Sequence, residues 1–116
     1  MSEIVAAVTG VGVVAPCGVG KDAFWQGLLG DAASGYQSVQ DWDPSDHYEN
    51  EKAARRHDKF SQFAVVATTE ATQQSGALEA YDPNDIAVSF GSGIGGLATL
   101  ESEIQVLLEK LSLIHI

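Results

Sequence analysis

The most chemically distinctive stretch is Ile86-Ala87-Val88-Ser89-Phe90-Gly91-Ser92-Gly93-Ile94-Gly95-Gly96-Leu97. An apolar, β-branched run passes into Gly91, Ser92, Gly93, Ile94, Gly95 and Gly96, four glycines in six residues. Lacking Cβ, glycine lets a backbone turn sharply and lets another group come close. A loop of this composition between a strand and a helix reads as ligand-facing, with Ile94 as its one large apolar side chain. A second glycine cluster, Gly10-Val11-Gly12-Val13-Val14-Ala15, matches a dinucleotide-binding fingerprint in its letters. Its context argues against that reading, because Pro16, Gly18 and Gly20 stand where a helix N-terminus would have to hold the pyrophosphate. No P-loop pattern is present, and no cofactor is expected.

Other reactive side chains are dispersed. Cys17 is the only thiol, and neither a base nor a helix N-terminus can be placed beside Pro16-Cys17-Gly18 to activate it, so it reads as structural. His47, His57 and His115 lie in unlike surroundings without metal-ligand spacing, so no metal site is expected. The carboxylates form no recognisable acid–base pair. No catalytic residue is assigned.

Charge is more informative. The formal net charge is −10, which argues against broad nucleic-acid binding, yet Lys52, Arg55, Arg56 and Lys59 crowd four of the six basic residues into eight positions. The patch is open to two readings. It is either a solvated helix face balancing Asp43, Asp46, Glu49 and Glu51, or a docking spot for an acidic partner.

The elements that must position these groups follow from periodicity. At 116 residues with 45% hydrophobic and 19% charged residues, the chain is at most one small globular domain. No apolar run approaches the ~20 residues of a membrane span, no signal peptide is visible, and a single cysteine fits a reducing cytoplasm. Residues 4–9 and 86–90 read as buried strands and 10–20 as a loop. Residues 21–29 read as a helix closed by Gly30, and 32–50 as an irregular connection. The spacing of Phe60, Phe63, Ala64, Ala67 and Ala71 predicts one helix over 56–75, stopped by Gly76. Asp82–Asp85 is a turn, and a last helix from about Gly96 carries Leu97, Leu100, Ile104, Leu107 and Leu108. Strands alternating with helices predict an α/β layer with parallel strands.

Three blocks together resemble the N-terminal part of the β-ketoacyl-[acyl-carrier-protein] synthases, the elongating type II condensing enzymes above all. They are VAAVTGVGVVAPCGVGKDAFWQGLLG (5–30), KAARRHDKFSQFAVVATTEATQQSG (52–76) and IAVSFGSGIGGLATLE (86–101). The resemblance implies a thiolase-like α/β fold of which residues 1–110 supply an incomplete first half, a homodimer, and an acyl carrier protein as partner. It places Ile94 on the acyl-pocket gate, with Gly91, Ser92, Gly93, Gly95 and Gly96 as the pocket loop. It places Arg55 and Arg56, flanked by Lys52 and Lys59, on the carrier-docking surface. The implied reaction is decarboxylative Claisen condensation in fatty-acid biosynthesis. The family's nucleophilic cysteine, histidines and lysine would lie beyond this chain, so the chain alone is expected to be inactive and poorly soluble. Residues 111–116 depart from the family pattern, and the connection between Trp42 and Lys52 is shorter than the family's. A polyketide synthase or chain-length-factor subunit, or a non-catalytic module that binds a carrier protein, are the alternatives. No nucleic acid and no membrane are expected as partners.

Overall fold

Pro16 and Cys17 cannot continue a helix and instead form the tip of a tight hairpin. Its arms are β1 (Val14–Ala15) and β2 (Gly18–Val19), antiparallel, with Val14 opposite Val19 and Ala15 opposite Gly18. The Gly20 N–H donates to the Val13 carbonyl at 2.8 Å and extends the pairing by one step. The hairpin leads directly into α1 (Lys21–Leu29). The computed structural model describes residues 3–114.

The remaining helices are α2 (Glu51–Arg56), α3 (Lys59–Ser75), α4 (Ala77–Ala80) and α5 (Leu97–Ile114), with short 3-10 turns at Ser45–His47 and Pro83–Asp85. Helix α3 is the organising element. Residues 10–13 run along it so closely that a Cβ on Gly12 would collide with the Ala67 carbonyl. This is the role of the alanine stripe: Ala67 and Ala71 let the glycine segment approach. Backbone donors freed by that approach are met from α3. Gln74 Oε1 accepts from Val11 N–H at 2.7 Å, Glu70 Oε2 from Val13 N–H at 3.0 Å, and Glu70 Oε1 from Lys21 N–H at 2.6 Å. One carboxylate thus ties the first glycine loop to the start of α1, where negative charge is favourable. At the other end, Gly76 takes a left-handed φ of 63° and stops α3 as its spacing predicts.

Four expectations are corrected. The 56–75 helix is two helices, because His57 and Asp58 adopt extended backbone (ψ 137° and 156°) between α2 and α3. Residues 4–9 and 86–90 form no ladder, and the hairpin is the only strand pairing among the described residues, antiparallel where parallel strands are expected. The 10–20 loop, in turn, contains that hairpin. A strand needs a neighbour to take its N–H and C=O groups, and neither apolar run has one here. Gly30 closes α1 with extended rather than left-handed backbone.

The core is correspondingly thin. Among the described residues Ala54, Val66 and Gln62 are the buried ones, whereas Val5 is 91% and Val88 72% exposed. The radius of gyration is 19.0 Å, against about 13 Å for a compact domain of this length. Among the described residues no helix is long and apolar enough to cross a membrane. Residues 111–114 continue α5, and His115 and Ile116 lie outside the described residues.

Candidate functional site

The basic patch is built on α2, a helix too short to be stable alone. Asn50 caps it by accepting from Lys52 N–H at 2.8 Å, and Ala54 buries its inner face. That orientation leaves Lys52, Arg55 and Arg56 exposed on one side, with Lys59 exposed just beyond, in the first turn of α3. Arg55 is paired at 3.6 Å with Glu51 one turn back, both largely exposed. Such a surface pair contributes at most about 1 kcal/mol, so a partner's carboxylate can displace Glu51. Lys59 stands at the positive end of a helix dipole, where a cation gains most from an added anion. Arg55, Arg56 and Lys59 border an open groove of about 700 Å³ that Trp42 and Pro44 also line, together with the carboxylates of Asp43, Glu51, Asp58 and Glu103, while Lys52 lies outside it on the same side of α2.

Behind the patch lies a polar junction that sequence reasoning missed. The side chain of Gln62, on the first turn of α3, is buried. Its Nε2 donates to the carbonyls of Ala54 (2.9 Å) and His57 (3.1 Å), while its Oε1 accepts from the Trp42 indole Nε1–H at 2.7 Å. The Trp42 ring meets Phe63 edge-on, with centroids 4.8 Å apart. Tyr48 hydrogen-bonds His57 Nδ1 at 2.9 Å, and burial pushes its phenol up from the usual value. Asp43 is held below the usual carboxylate range, first by the Ser45 hydroxyl and then by the Ser45 backbone N–H. Of this junction only Phe63 carries a periodic signal; Gln62 lies off the apolar stripe and Trp42 in the irregular 32–50 connection.

The glycine loop lies on the other side of the α3 N-terminus. Gly95 N–H donates to Ser92 Oγ at 2.9 Å, and Gly95 takes φ 70°, a conformation side chains rarely accept. Gly96 is crowded by the Asp58 carboxylate, which also accepts from the Thr99 hydroxyl on α5. Asp58 thus fastens the end of the loop to the residues between Arg56 and Lys59. Gly91 and Gly93 have open space around them. Ile94 is 75% exposed and lines neither groove flanking the loop. One of these grooves, about 720 Å³, runs between α3 and residues 90–92 and is lined mainly by Phe60, Ala64, Val65, Leu78 and Phe90.

Cys17 is exposed at the hairpin tip. Among the described residues no group of three or more His, Cys, Asp and Glu side chains converges as metal ligands do.

Similarity to known proteins runs along most of the chain. It is 35% identical over 120 residues to the Streptomyces cyaneus protein named "Putative polyketide beta-ketoacyl synthase 1", an alignment covering 90% of this chain and 28% of that protein. It is 33% identical over 127 residues to 3-oxoacyl-[acyl-carrier-protein] synthase 2 of Vibrio cholerae, covering 95% and 30% respectively. With the synthase of the same name from Synechocystis the identity is 31% over 119 residues, covering 89% and 28%. The chain therefore spans less than a third of the length of these relatives. No family model and no solved structure matches it.

Proposed function

We infer that this chain, homologous to the β-ketoacyl synthases over most of its own length, is a section of such a condensing enzyme and carries its docking face for an acyl carrier protein. The observation that carries the docking reading is the gathering of Lys52, Arg55, Arg56 and Lys59 on one exposed surface of a chain whose net charge is −10. An acidic carrier is attracted to that patch and repelled by the rest of the molecule, which orients its approach. Two of the relatives are named for a carrier-protein-linked substrate, which supports the same assignment.

The parent reaction is acyl transfer to a cysteine thiolate followed by decarboxylative attack of a carrier-bound malonyl unit. In that reaction the section contributes binding and shape. Ile94, on a loop that Gly95 bends and Asp58 anchors, acts as the acyl-pocket gate, and the apolar groove beside Phe90 supplies part of the surface an acyl chain crosses. The exposure of Ile94 suits a side chain that closes against surface supplied by the rest of the enzyme. The two apolar runs, 4–9 and 86–90, are strands of a thiolase-like sheet that pair once the complete sandwich and its homodimer are assembled.

On this reading the nucleophile is a cysteine other than Cys17, which stands exposed at the hairpin tip. The chain alone is expected to show no acyl transfer from an acyl carrier protein; radiolabelled acyl groups appearing on the purified chain would contradict this. The docking assignment is tested by Arg55→Glu combined with Arg56→Glu. Carrier affinity is expected to fall at least about tenfold, the scale set by losing two charge pairs and adding repulsion. Unchanged affinity would overturn it.

A further inference from the structure

We propose that Gln62 and Trp42 form a positioning device for the docking helix, setting the direction in which Arg55 and Arg56 are presented. The proposal rests on the docking reading and deepens it. Helix α2 is only six residues long and ends in extended backbone at His57. The His57 N–H closes it on the Ala54 carbonyl at 3.1 Å and no further turn follows, so the arginines ride on a turn with little stability of its own.

The Gln62 amide reinforces that closure with a second hydrogen bond to the Ala54 carbonyl. One Nε2 proton goes to the Ala54 carbonyl, inside the arginine-bearing turn, and the other to the His57 carbonyl just past its end. The remaining amide atom, Oε1, takes the Trp42 indole proton. That bond fixes the amide's orientation, because a flipped amide would set an oxygen against two carbonyls and an N–H₂ against an indole N–H. All three hydrogen-bonding directions the geometry can use are filled. Gln62 itself belongs to the 17-residue α3, so the amide fastens a six-residue helix to a much longer one. Two donated protons at the C-terminal end of α2 also offset part of the negative pole that would otherwise blunt the arginine charges.

The test titrates the full chain with fluorescently labelled acyl carrier protein at low and raised salt. It compares the unaltered chain with Gln62→Met, Trp42→Phe and the double arginine reversal. Circular dichroism follows helix content and proton NMR follows the Trp42 indole N–H. Gln62→Met keeps the side chain's length and apolar stem while removing every hydrogen bond. It is expected to preserve helix content, move the indole resonance upfield, flatten the salt dependence and weaken carrier binding roughly tenfold. Trp42→Phe removes only the donor that orients the amide and is expected to cost roughly two- to threefold. If Gln62→Met loses helix content, Trp42→Phe decides alone. Unaltered affinity and salt dependence in Trp42→Phe, and in Gln62→Met where it keeps its helix content, would overturn the positioning role while leaving docking intact. Binding indifferent to the arginine reversal would overturn docking itself.

Discussion

Gly12 has no room for a side chain, because the Ala67 carbonyl of α3 occupies the place a Cβ would take. Substituting Gly12→Ala must push residues 10–13 away from α3 and stretch the bonds from Val11 to Gln74 and from Val13 to Glu70. Losing two such bonds costs about 2 kcal/mol, so the Val11 and Val13 amides are expected to exchange roughly thirtyfold faster with solvent. Exchange at the unaltered rate would show that the close approach is not required. Gly12 also shows what a motif can mislead about. Its letters fit a dinucleotide loop, whereas its space is filled by a helix backbone. Gln62 misleads in the opposite direction: its type suggests a solvated position, but its two donors and one acceptor are all used inside. Neither role can be read from residue type, since both depend on which backbone lies a few ångströms away.

At the level of elements, the helices were largely legible and the sheet was not. The boundaries of α1, the end of α3 at Gly76 and the start of α5 near Gly96 follow from local periodicity and stop signals. Helix formation satisfies its own backbone, so local rules reach far. The break at His57–Asp58 escaped the same rules because apolar spacing continues through it, and the cause is tertiary: Gln62 and Thr99 supply partners for a non-helical His57 carbonyl and Asp58 carboxylate. The runs 4–9 and 86–90 have the composition of buried parallel strands, and they stay unpaired and largely exposed because strand character is realised only against a neighbour. Of the candidate site, the basic patch and the glycine loop were visible from composition and resemblance. Their attachment to one helix terminus, through Gln62 and Asp58, was not.

The whole molecule carries a surface larger than its mass calls for. Its accessible area is 9767 Å², against about 6,000 Å² for a compact protein of 12.2 kDa. Much of the exposed surface is apolar: Ile4, Val5, Val8, Val88 and Phe90 of the two runs and the Leu97, Leu100, Leu107 and Leu108 positions of α5 are all exposed. Patches of this extent normally mark surfaces that meet other protein. That fits a section spanning less than a third of its relatives' length. The proposed docking depends least on such covering surfaces, since α2, Asn50, Gln62 and Trp42 lie within this chain. The most direct measurement is therefore the affinity of the unaltered chain for acyl carrier protein at 50 and at 200 mM salt. Three or four neutralised charges predict binding that weakens at least about tenfold between the two conditions, as the screening length falls from about 14 to 7 Å. Equal affinity at both salt concentrations, or no binding at either, would contradict a docking face made of Lys52, Arg55, Arg56 and Lys59.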